Sequence, residues 1–100
     1  MKELTIPPAA ERDENSVEVI RAWFAEKGLW VSLNPHVFRD RDLKEEDAWG
    51  IVLADTIRHL ANARCLVSGN SQEETIKLIK EALDTEILKP TSTVRGGFIG

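Results

Sequence analysis

The sequence predicts an α+β fold in one small domain spanning residues 1–100: three helices, at about 16–27, 43–68 and 72–88, and a small sheet around a strand at about 29–38. Three observations carry this prediction. Capping signals and helical spacing of apolar residues recur three times, one stretch alternates like a strand, and the length allows a single core.

Each predicted helix opens on an Asx or Ser residue with Glu three positions on: Asn15 with Glu18, Asp42 with Glu45, and Ser71 with Glu74. That pairing satisfies two backbone donors that a helix start leaves without partners. Gly28, Gly69 and Pro90 follow the three segments and suit a chain leaving helical geometry. In the first helix Val17, Ile20, Trp23 and Phe24 fall on one side; in the third, Ile76, Ile79, Leu83 and Ile87 do.

The middle helix is broader in its apolar surface. Trp49, Val52, Leu53, Thr56, Ile57, Leu60, Ala63 and Val67 cover one wide face, and Gly50, Ala54 and Ala61 make a flanking seam of small residues. Only a strip around Asp47, Asp55, Arg58 and Asn62 is polar, so this helix needs cover on more than one side.

The strand reads Leu29-Trp30-Val31-Ser32-Leu33-Asn34 and can continue past Pro35 through Phe38. Its backbone needs a neighbour. The candidates are Glu3 to Ile6, the C-terminal Thr93 to Ile99, or the same strand of a second chain. Residues 95–100 read as a flexible tail with Phe98 and Ile99 as apolar anchors.

Composition excludes several functions. Thirteen Lys and Arg against seventeen Asp and Glu, well mixed along the chain, give a net charge of -4, which disfavours nucleic-acid binding. The single Cys65 permits no internal disulfide, and no Cys or His pair has zinc-ligand spacing, so neither metal nor cofactor is expected. No apolar run has the length of a signal peptide or a membrane span, so no membrane partner is expected and the default location is cytoplasmic.

The catalytic candidates are Asp55, Arg58 and His59, within one turn of the middle helix. A carboxylate four residues before an imidazole could orient it as a general base. The commoner role of such a group is a surface salt bridge, and no nucleophile stands beside it in sequence. Trp30 points away from Leu29, Val31 and Leu33, on the side of Ser32. It is either covered by a helix of its own chain or an anchor for an interface or ligand wall. Trp30, Ser32, Trp49, Gly50, Ala54 and Ala61 are therefore the candidate interface or pocket residues.

The opening Lys2 to Ala10, the stretch from Glu26 to Asn34, the segment Glu46 to His59 and the Gly96-Gly97-Phe98 end resemble a small family of proteobacterial proteins catalogued as a domain of unknown function. The resemblance implies a stand-alone bacterial cytoplasmic protein, and it brings no catalytic residue or cofactor. A short chain with so apolar a helix and an open strand edge gains core by pairing. The expected function is a non-enzymatic homodimeric interaction or regulatory module. The alternatives are a small-molecule binding domain with an apolar pocket and an enzyme using Asp55, Arg58 and His59.

Overall fold

The computed structural model describes residues 1–98; Ile99 and Gly100, expected as part of the tail, lie outside the described residues. Along the described chain run α1 (Pro8–Arg12), β1 (Ile20–Ala25), β2 (Gly28–Leu33), α2 (Glu45–Ser68), α3 (Gln72–Leu88) and β3 (Gly96–Phe98). Among the described residues, three helices and a three-stranded sheet make the α+β class that the sequence predicts. The chain divides into two compact units, Met1–Val37 with the chain from Val94 on, and Phe38–Thr93.

The first unit holds the sheet, in the order β1-β2-β3. The segment expected as a helix at 16–27 is instead the strand β1, antiparallel to β2, with Trp23 directly opposite Trp30. Valine, isoleucine and aromatics fit a pleated surface better than a helix interior, and Leu29 to Leu33 offers a partner five residues away. The tight turn between them decides the matter. Glu26 and Lys27 both take positive φ, 48° and 62°, the geometry of a two-residue hairpin loop whose twist matches the strands. Gly28 is thus the first residue of β2, not a helix cap. The expected Asn15 and Glu18 capping box is dispersed: the Asn15 backbone N–H donates to Asp13 Oδ1 at 2.9 Å, and Glu18 accepts from Arg21.

The helix that does form in this unit is α1, one turn with Pro8 at its start, where a missing amide hydrogen costs nothing. The strand expected to reach residue 38 ends at Leu33. Asn34 N–H adds one more bond, to Val19 carbonyl at 3.1 Å, and residues 35–38 turn away.

β3 joins the other edge of β2 in parallel, pairing Val31 with Gly96 and Leu33 with Phe98, so the C-terminal candidate is the neighbour of β2 on the same chain. Val31 N–H donates to Arg95 carbonyl at 2.9 Å. The approach is close enough that a Cβ on Gly96 would lie 1.9 Å from Val31 carbonyl oxygen, and its φ of 122° is open essentially to glycine alone. By strand alternation Ile20, Ala22, Phe24, Leu29, Val31, Leu33 and Phe98 share one face, on which Phe24 stays 88% and Phe98 74% exposed.

The second unit is a helical hairpin. α2, 24 residues and about 36 Å long, packs on α3 across the short connection 69–71. Gly69 takes the left-handed conformation (φ 71°) and its N–H donates to Cys65 carbonyl at 2.9 Å, ending α2. Ser71 Oγ accepts from Glu74 N–H at 3.2 Å, one of the two bonds its cap sequence predicts, and opens α3. α2 begins two residues later than the expected residue 43, after Lys44, with no side-chain cap, so Asp42 does not serve as one. The preceding residues turn back instead, and the Phe38 ring meets Trp49 edge to face, centroids 5.6 Å apart.

Among the described residues only Ala48, Ala61 and Thr75 are buried, and no large side chain is fully enclosed. Two outcomes check this account of the fold. Replacing Glu26-Lys27 by Asn-Gly relieves two left-handed side-chain residues and should raise stability by about 1–2 kcal/mol, read as a higher urea midpoint at unchanged m-value. Gly96→Ala should cost about 1–3 kcal/mol by overpacking and release β3, with faster hydrogen exchange at the Val31 amide.

Candidate functional site

In the first unit the N-terminal arm and β1 enclose an open groove of about 700 Å³. Leu4, Ile6, Ile20 and Trp23 supply apolar walls. Arg21 crosses the arm, its guanidinium 3.2 Å from Glu3 and 3.2 Å from Glu18, so its charge is already shared between two carboxylates. Trp23, rather than the expected Trp30, lines this groove.

Trp30 lies on the opposite strand of the hairpin, 38% exposed, and its indole Nε1–H donates to Ala25 carbonyl at 2.9 Å. Its polar tip therefore ties down the hairpin turn. Ser32, opposite Arg21 in the register, is exposed.

The remaining interface candidates all lie on α2. Trp49 is half-buried against Phe38. Ala61 is fully buried and Ala54 half-buried; with Ile57 and Cys65 they form one stripe at helical spacing, the side that packs on α3. Gly50 extends that stripe into open space, where an added Cβ would touch nothing within 4 Å.

A second stripe of α2 is open. Leu53, Thr56, Leu60, Ala63 and Val67 recur at alternating intervals of four and three residues, as in a coiled-coil seam, and every one of them is exposed. The sequence placed these residues on the apolar face; what it could not give is that α3 takes the other stripe and leaves this one bare.

The polar group expected as a catalytic candidate is partly assembled. Arg58 Nη2 donates to Asp55 Oδ1, an exposed intrahelical pair, while His59 makes no hydrogen bond or ion pair among the described residues. The carboxylate thus pairs with the guanidinium rather than the imidazole, on an open helix surface where water screens both. Among the described residues no group of His, Cys, Asp and Glu could hold a metal ion, and no helix is long and apolar enough to cross a membrane.

At the end of α3 a carboxylate closes the chain on itself. Glu86 accepts the Thr91 hydroxyl hydrogen bond and, at 3.0 Å, the Thr91 amide, which stitches the turn after Pro90 back to the helix. The hydroxyl first, and the amide second, hold the Glu86 carboxyl below its ordinary range.

These features define a small α+β protein built of a hairpin sheet and a helical hairpin. The chain belongs to the family described as domain of unknown function (DUF5076), whose model matches residues 3–91. No curated protein matches the chain. Among solved structures, one described as "a putative pyruvate dehydrogenase from the photosynthetic bacterium Rhodopseudomonas palustrus CGA009" is similar: 28% identity over 93% of this chain and 90% of that one, with a TM-score of 0.67.

The Glu86 clamp gives a pH signature. A carboxyl held below its ordinary range stabilises the fold above that range, and the contribution fades as pH falls through the lowered value. Thr91→Ala, which deletes the hydroxyl and keeps the amide, should move the Glu86 titration, followed by NMR, up toward the ordinary carboxylate range and reduce this segment of acid sensitivity.

Proposed function

We propose that the chain is a non-enzymatic interaction module that works as a homodimer in the bacterial cytoplasm. The observation that carries the reading is surface. The chain exposes 8868 Å², whereas two separate compact bodies of its two units' sizes would expose only about 6,800 Å². The excess, about 2,000 Å², is of the size one chain gives up on entering an obligate dimer. Much of it is apolar: Phe24 and Phe98 on the sheet, Leu53, Leu60 and Val67 on α2. Exposed apolar area on this scale marks an association surface in a protein that is otherwise well charged. A second copy is the simplest occupant, since two-fold pairing closes and stops. The bacterial setting is supported by the source of the similar structure, and the cytoplasm by a lone cysteine that needs no oxidising compartment.

A second reading, small-molecule binding, is favoured by the groove beside β1, whose volume falls in the range of ligand sites. Catalysis has less support. It would rest on Asp55, Arg58 and His59, which lie where water competes for each hydrogen bond. The activity named for the similar structure therefore remains a description of that protein.

Sedimentation equilibrium should give a dimer at micromolar concentration, and Tm should rise with protein concentration. A folded monomer under those conditions overturns the reading. The same melting series with a metabolite library separates the alternatives, because a bound ligand raises Tm at every protein concentration.

A further inference from the structure

We propose that the dimer contact is made by α2 against α2 of a second copy, antiparallel, along the seam Leu53, Thr56, Leu60, Ala63 and Val67 with Leu60 at the two-fold axis. The inference rests on the homodimer reading and names the surface that makes it.

The seam is five positions long at a/d spacing, about 21 Å from Leu53 to Val67. Leu53 is 47% exposed, Leu60 48% and Val67 85%. Larger side chains alternate with the small Thr56 and Ala63, which lets a facing helix seat its own large residues between them. The charged residues of this part of α2, Asp55, Arg58 and Arg64, lie outside the seam, so its closure buries no ion.

The structure also sets where the seam begins. Toward the helix start the same side of α2 carries Trp49, flanked by Val52, and both are half-buried, with Phe38 on Trp49. The chain covers that end itself, and the stripe is bare from Leu53 onward. This decides the orientation. A parallel pair would bring both Phe38 and Trp49 clusters to the same level and hold the helices apart there. It would also set Glu45, Glu46 and Asp47 of one copy beside the same three carboxylates of the other. Antiparallel pairing about Leu60 puts each cluster past the end of the facing helix, opposes Leu53 with Val67, and keeps the acidic starts at opposite ends.

The test is cysteine cross-linking of the full chain in a Cys65→Ser background. Leu60→Cys should form a disulfide dimer on mild oxidation. Val67→Cys alone should not, since the two copies of that position stand about 21 Å apart, but mixed with Leu53→Cys it should cross-link. Leu60→Glu should give a monomer that keeps its helical circular dichroism. Self-cross-linking of Val67→Cys would show a parallel pair and overturn the proposal. A dimer by sedimentation that neither cross-links at residue 60 nor responds to Leu60→Glu would also overturn it, leaving the homodimer intact through another surface. A monomeric parent chain would instead overturn the homodimer itself.

Discussion

Hydrophobic residues make up 42% of the chain, yet the two helices of the larger unit meet through small and medium side chains, and only two alanines and a threonine are buried among the described residues. This shortage of enclosed apolar volume is the constraint on which the rest of the structure depends. A leucine left half in water forgoes about half of the roughly 2 kcal/mol its burial would contribute, and α2 alone carries several. A chain in that condition has two ways to recover the energy: tighter closure on itself or a partner. Ala54 and Ala61 let α3 come close on one side of α2, which spends the small residues and leaves the large ones outward.

The sheet unit meets the same shortage with hydrogen bonds and exact local fits. β2 is bonded on both edges, antiparallel to β1 and parallel to β3, so it is the strand whose backbone is most completely satisfied. Each junction depends on one local device. The β1–β2 turn holds two side-chain-bearing residues in left-handed conformation, with the Trp30 indole bonded to the carbonyl before the turn as a brace. The β2–β3 junction depends on Gly96, where backbone meets backbone too closely for any side chain. Arg21 with Glu3 and Glu18, Arg58 with Asp55, and Lys80 with Asp84 are all solvent-exposed and each contributes at most about 1 kcal/mol.

How legible the fold was in the sequence depended on how local each signal is. α3 and the connection before it were readable because Ser71 and Gly69 act within a few residues of themselves: the Ser71 hydroxyl takes the Glu74 N–H, and Gly69 takes the left-handed conformation that ends α2. The first helix failed for the opposite reason. Val17, Ile20, Trp23 and Phe24 satisfy a helical period, and only pairing with Leu29 to Leu33, across a turn without its usual Asn or Gly, turns the run into a strand. The β-branched and aromatic content of that run was the available clue, and so was Pro8 followed by Ala-Ala-Glu-Arg for the short helix that was missed. For the site, the aromatic and small-residue candidates were correctly placed on the strand and on α2, but their roles diverged: Ala61 packs inside, Trp30 braces a turn, and Asp55 pairs with Arg58 instead of His59.

The sequence by itself determined the fold class, the two long helices with their shared connection, and the excess of apolar surface on α2, because period, capping chemistry and composition are properties of neighbours along the chain. Only the tertiary structure decided that residues 20–25 are a strand, that Gly96 docks beside Val31, and which of α2's two stripes α3 takes. Those outcomes are competitions between surfaces far apart in sequence. They are settled by which pairing closes more tightly, and the stripe that α3 leaves bare is the surface proposed for a second copy.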